Sequence, residues 1–274
     1  MIRKTIPFFL CSMMLVAMLS ACGNGKDGDS KENIVEFKTV KMADKSSFKR
    51  SNGEMCQIKI DATIALPEKY KGAALSAKLQ NLITSTLFEG GDSLQQSQAL
   101  QQMLKSRLAV NVHDESEALA EDESAAVSNI SIKINISPVF NTNGILSMCF
   151  EETITKDGVT SPVHSYFNYD LEKCALVDMG EFNDQLLADM AQLLQNKLME
   201  QNKVTSAEEL NALGYFDIFN ISVTSNFYFS NEGLVWSYKP QELTADAKVE
   251  PTILIPYSDL SPYVKEESVI KKMM

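Results

Sequence analysis

Two histidines, 36 acidic side chains and a handful of cysteines are the groups of this 274-residue chain with polar chemistry to offer. A Ser-His-Asp triad needs a histidine base, and only His113 and His164 are present. His113 opens the run His113-Asp114-Glu115, followed by Glu117, Glu121, Asp122 and Glu123. Histidine with carboxylates can ligate a metal, but this spacing fits neither an EF-hand loop nor an HExxH helix. The run reads as a solvated acidic helix end or loop. Its alternative use is a docking patch for a basic partner, built from Asp114, Glu115, Glu117, Glu121, Asp122 and Glu123. His164 stands two residues after Pro162 at the start of an extended stretch and reads as a surface or hydrogen-bonded histidine. GxSxG and P-loop patterns are absent. No catalytic, metal-binding or cofactor-binding residue is assigned, and no cofactor is expected. A carboxylate pair for glycoside hydrolysis stays open, because its members need not be neighbours in sequence. Trp236 with Tyr228, Phe229 and Tyr238 offers a sugar platform, although alternating strand aromatics more often form core.

One cysteine has a more specific chemistry. Arg3 and Lys4 precede an uncharged apolar run from Ile6 to Leu19. That run has signal-peptide length and is too short for an ordinary membrane span. Leu19-Ser20-Ala21-Cys22 then resembles the bacterial lipobox, whose cysteine becomes the lipid-modified first residue. Acyl chains there would hold the protein to a membrane at about 0.8 kcal/mol per buried CH2. Cleavage before Cys22 removes two cations and no acid, taking the net charge from -11 to -13. Residues 22–47 read as a lipidated flexible tether rich in Gly, Lys, Asp and Ser. Lys26-Asp27-Gly28-Asp29 loosely resembles a surface-export signal of Bacteroidetes lipoproteins, and serves equally as a solvated linker. The expected location is the cell envelope, anchored by lipid, at the outer membrane.

The acidic balance argues against nucleic acid as a partner. An apolar fraction of 45% excludes a disordered or collagen-like chain. Beyond Cys22 lie Cys56, Cys149 and Cys174, an odd number without CxxC spacing. They allow at most one disulfide, or small buried thiols.

The elements come in two groups. Gln57 to Leu66 alternates as a half-buried strand that Pro67 should stop. Leu75, Leu79, Leu82, Ile83 and Leu87 recur at helical spacing, as do Leu100, Met103, Leu104 and Leu108. Ile130, Ile132, Ile134 and Ile136 share one strand face. Asn143-Gly144 and Asp157-Gly158 predict hairpin turns into strands at 145–155 and 163–169. Leu186, Leu187, Met190, Leu193, Leu194 and Leu198 mark a helix over 184–199, and Ser206 to Glu209 fits a capping box. Strands follow at 221–230, 234–238 and 252–256. The class is α+β, with antiparallel meanders packed by amphipathic helices. The expected division is a small domain over 48–126, a second over 127–266 and a frayed tail over 267–274.

Three segments carry a family resemblance. Phe167 to Lys173 with Leu176 to Phe182 resembles an "NYDL-x-TGK…L-x-DLF" signature. Asn226 to Val235 resembles "NFYLTDDGLV", and Ile255 to Leu260 resembles "IPYSEL". These motifs belong to a domain of unknown function in bacterial envelope proteins. With its smaller preceding domain it occurs in the anti-sigma-V factor, whose outer domain binds lysozyme, and beside a peptidoglycan deacetylase domain. The resemblance spans about residues 50 to 265. The family's Gly-Gly-x-His turn is replaced by Asp157 to His164, so no role transfers to His164. A sigma-binding segment and a deacetylase domain are also missing, so neither activity is implied.

Two functions follow as expectations. The first is a lipid-anchored envelope module that binds a basic protein such as lysozyme or a cell-wall glycan. The second is an envelope glycan hydrolase using a carboxylate pair.

Overall fold

The computed structural model describes residues 17–18, 33–49, 55–88, 96–121, 129–156, 158–216, 218, 221–246 and 249–274. The first elements are β1 (Ala17–Met18), β2 (Val35–Lys49), β3 (Met55–Tyr70), β4 (Ala73–Ala74), α1 (Ala77–Leu87) and α2 (Gln96–Glu121). A meander follows: β5 (Ile130–Thr142), β6 (Ile145–Lys156), β7 (Val159–Asp170) and β8 (Ala175–Leu176). Then come α3 (Asp184–Asn202), α4 (Ala207–Ala212), β9 (Phe227–Phe229), β10 (Gly233–Ser237), β11 (Thr252–Pro256) and α5 (Tyr257–Leu260). The architecture is α+β, as the pattern of elements implied.

One large sheet has the order β1-β2-β3-β5-β6-β7-β8, with β4 paired to β3; a small one has the order β11-β10-β9. Every pairing is antiparallel except β3 with β5. That parallel pair needs a crossover, and α1 and α2 supply it. Both helices lie on one face of the sheet. Leu79, Ile83 and Leu87 of α1, and Leu100, Met103, Leu104 and Leu108 of α2, pack there with Ile58, Ile60, Ile64, Ile132 and Ile134. Each such side chain contributes about 1.5–3 kcal/mol when fully buried. Ser76 starts α1 by accepting the Leu79 N–H at 3.2 Å. The Asn143-Gly144 turn has φ values of 52° and 75°, the left-handed pair that a tight hairpin requires.

A second core lies under α3 and the small sheet. Leu186, Met190, Leu194 and Leu198 pack with Phe227, Phe229 and Trp236. Trp236 stacks on Phe227 with ring centroids 5.4 Å apart. Trp236, Phe229 and Tyr238 are thus interior. They form no sugar platform; Tyr228 alone of that set is partly exposed.

Several expectations are corrected. The tether was expected to reach residue 47, but β2 occupies 35–49 and pairs with β3 along its whole length. Its inward positions include Met42, Asp44 and Ser46, all buried. Two polar residues in that row hid the alternation. Pro67 does not stop β3, which continues to Tyr70. A register shift between Glu36 and Phe37 brings Phe37 opposite Pro67, the setting in which a strand tolerates proline. The strand expected over 221–230 narrows to Phe227–Phe229. The tail does not fray as a whole: a 3-10 turn over Val269–Met273 buries Val269 and Ile270 in the second core. The boundary at 126/127 does not separate the cores, since β5, β6 and β7 help build the first.

One consequence is testable. A chain beginning at residue 48 loses β2 and bares the long edge of β3. It should be insoluble or melt without a sharp transition, whereas a chain beginning at residue 33 should unfold cooperatively; circular dichroism melts compare them.

Candidate functional site

With both crossover helices on one face, the opposite face of the large sheet stands open along β2, β3 and the first part of β5, and is covered at the β6–β7 end, where Ile145, Ser147 and Asn168 are buried. β2 presents Lys41, Lys45 and Lys49 there, β3 presents Lys59, Asp61 and Thr63, and β5 presents Lys133 and Asn135. All are exposed. Lys45 lies directly opposite Lys59, and Asp61 neighbours Lys133 on the parallel strand. The same face continues onto β6 and β7 through Thr153, Thr155 and Thr160.

The small sheet rises from this face at the β5–β6 turn end and makes a step. Three polar side chains fasten the two layers. The Ser147 hydroxyl donates to Asn168 Oδ1 at 2.6 Å and accepts the Phe229 N–H at 3.2 Å. Asn168 Nδ2 donates to the Phe227 carbonyl at 2.8 Å. Asn226 accepts the Tyr166 N–H at 2.8 Å and donates to the carbonyls of His164 and Ser237 at 3.0 and 3.2 Å. These bonds place a row of rings along the step: His164 to Tyr166 at 6.4 Å and Tyr166 to Tyr228 at 4.5 Å between centroids.

Glu250 holds His164 twice, accepting its backbone N–H at 3.1 Å and pairing with ring Nδ1. Cys149 lies beside Tyr166, and burial pushes its thiol up from 9.0 to about 11. Burial also raises the Tyr166 hydroxyl. Burial that keeps the thiol neutral at pH 7 works against a nucleophilic role for Cys149. The raised value means that the fold favours the neutral thiol. Its contribution is complete below the ordinary thiol range and is lost as pH rises through about 11. Cys56, Cys149 and Cys174 are all thiols rather than disulfide halves. Cys174 alone of the three is partly exposed. Iodoacetamide at pH 8 should therefore modify Cys174 well before Cys149 or Cys56, as peptide mass spectrometry would read; equal labelling would contradict the burial.

A cavity of about 210 Å³ lies on the helix side of the sheet, lined by Thr86, Leu87, Arg107, Phe150, Glu152 and Ser165 among others. Arg107 Nε is 3.8 Å from Glu152, and its guanidinium is 5.7 Å from the Phe150 ring centroid. The cavity is smaller than the 300–1,000 Å³ of usual ligand pockets.

The residues singled out in sequence scatter. Asp114, Glu115, Glu117 and Glu121 fall on the last turns of α2, so that part of the run is helix rather than loop. Asp122, Glu123 and Cys22 lie outside the described residues, as does the leader apart from Ala17–Met18. Among the described residues, no three His, Cys, Asp or Glu come together to hold a metal ion, and no helix is long and apolar enough to cross a membrane. Sequence reading missed the lysine face. Its signal was Lys41, Lys45 and Lys49 at even spacing, legible only once that stretch is known to be strand.

The order helix, short helix, hairpin and closing strand around Trp236 is the part that relates this chain to others. Residues 182–258 match the DUF3298 family. That family is described as proteins of unknown function. The DUF3298 segment contributes Asn226, Tyr228 and Glu250 to the step. A DUF3298 family member from Bacteroides fragilis has a similar fold, with a TM-score of 0.68 and 19% identity over 88% of this chain and 98% of its own. A DUF3298 protein from Pseudomonas aeruginosa PAO1 matches with a TM-score of 0.50 and 14% identity, over 84% of this chain and 95% of its own. No curated protein matches the chain.

Proposed function

We propose that this protein is a lipid-anchored binding module of the bacterial cell envelope, at the outer membrane, holding a cell-wall glycan or a basic lysozyme-like protein. The observation that carries the reading is the open polar face of the large sheet, bounded by a step of aromatic rings. Antiparallel sheets commonly leave one face to solvent, and this one places lysine, threonine and asparagine side chains on it. The lipobox-like Leu19 to Cys22 and the motif resemblance to envelope domains such as that of the anti-sigma-V factor support the location. A net charge of -11 favours the basic-protein arm by long-range steering, with the α2 acidic run as its contact. Purified protein should be retained by insoluble peptidoglycan or by immobilised lysozyme. Retention by neither would end the reading.

The hydrolase alternative has one observation in its favour: Glu250 pairs with His164, which lies opposite Glu151 in the β6–β7 ladder, so two carboxylates are neighbours there. Each already has a partner, Asn135 for Glu151 and His164 for Glu250. Release of reducing ends from peptidoglycan, abolished by Glu250→Gln, would favour hydrolysis over binding.

A further inference from the structure

We infer that the lysine face of the large sheet binds a carboxylate-bearing polysaccharide, laid across β2, β3 and β5 with one end against the Tyr166–Tyr228 step. This rests on the binding reading above and names the ligand class for its open face. Three features point the same way. The charged side chains on the face are Lys41, Lys45, Lys49, Lys59 and Lys133 against Asp61, Glu151 and the His164-paired Glu250, a positive balance within a chain of net charge -11. Lys41, Lys45 and Lys49 recur every four residues on one strand, about 13 Å apart at the usual rise. A polymer with regularly spaced anions matches such a row better than a single small anion does.

The second feature is the register. Lys45 faces Lys59 directly across the β2–β3 pair. Like charges in that position destabilise a sheet, and among the described residues neither lysine forms an ion pair. An anionic group seated between them relieves the repulsion. The third is the company the lysines keep. Thr63, Asn135, Thr153 and Thr155 offer hydroxyls and amides to sugar hydroxyls. The half-exposed Tyr166 and Tyr228 rings, 4.5 Å apart, offer apolar surface to a pyranose ring. Charge alone would suit an acidic peptide; charge beside hydroxyls and rings suits a charged glycan.

The test uses the full chain in non-ionic detergent with three probes: polygalacturonate, chitohexaose and poly-glutamate. Polygalacturonate should bind, at least fivefold more weakly at 300 mM than at 50 mM NaCl. Chitohexaose, which lacks charge, and poly-glutamate, which lacks sugar, should each bind at least tenfold more weakly than polygalacturonate. The double variant Lys45→Gln, Lys59→Gln should lose at least tenfold for polygalacturonate without a lower melting temperature. Lys105→Gln, on the helix side, should lose nothing. Poly-glutamate binding as tightly as polygalacturonate would overturn the inference in favour of an acidic-peptide site. Unchanged affinity in the double variant would overturn it as well. If the protein is retained by peptidoglycan or lysozyme while the double variant behaves as the parent, the binding reading stands and this assignment falls. If nothing retains the parent protein, both fall.

Discussion

Replacing Gly233 by alanine should cost about 3 kcal/mol of stability or more. A Cβ at this position would lie 2.1 Å from the Ile255 carbonyl oxygen and 2.8 Å from Pro256 Cα. Both are backbone atoms of β11, so no side chain can turn aside. Gly233 pairs with Pro256 in the ladder and also closes the preceding turn, where its carbonyl accepts the Ser230 N–H at 2.9 Å. Relief therefore means parting β10 from β11, above the second core. For a chain of this size the melting temperature should fall by about 6–12 °C. Urea unfolding provides the check; a loss below about 1 kcal/mol would mean that the strands separate there at little cost.

Replacing Asn168 by alanine should cost about 3 kcal/mol, for a different reason. Asn168 and Ser147 are 3% and 0% exposed. Without the amide, the Phe227 carbonyl loses its side-chain donor and the Ser147 hydroxyl loses its acceptor. Unsatisfied buried polar groups cost about 1–3 kcal/mol each. The damage should be local at first: amides of β9 should exchange faster with solvent than those of β5 and β6. Uniform protection with unchanged stability would show that the two layers hold together by apolar packing alone. Comparing the two variants separates a steric fault within one sheet from a polar fault between two.

The larger elements could be read from residue types. Isoleucine at every second position wrote β3 and β5, leucine at helical spacing wrote α1, α2 and α3, and Asn143-Gly144 wrote a hairpin. These signals are local, and each reports which side of an element is buried. What could not be read depends on partners distant in sequence. β2 places Asp44 and Ser46 inward, and only its pairing with β3 makes that stretch a strand. The parallel contact of β3 with β5 spans two helices, so a boundary between them looked natural. For the candidate site, the acidic run was conspicuous because its residues are consecutive. The lysine face was not, because Lys45, Lys59 and Lys133 are far apart in the chain and meet only through strand register. The same holds for His164 and Glu250, joined across the step.

The β5–β6 hairpin carries a further implication. Its strand bodies belong to the first core through Ile130 to Ile136 and Leu146 to Met148, while Phe140 and Ile145 near its turn belong to the second. One pair of strands is therefore a wall shared by two rooms. Recombination that swaps either half for a relative's must carry this hairpin with it, and then mismatches the half left behind. Inheritance of the two halves should accordingly be joint, with crossovers between homologues tolerated before β2 or after the tail and selected against in between.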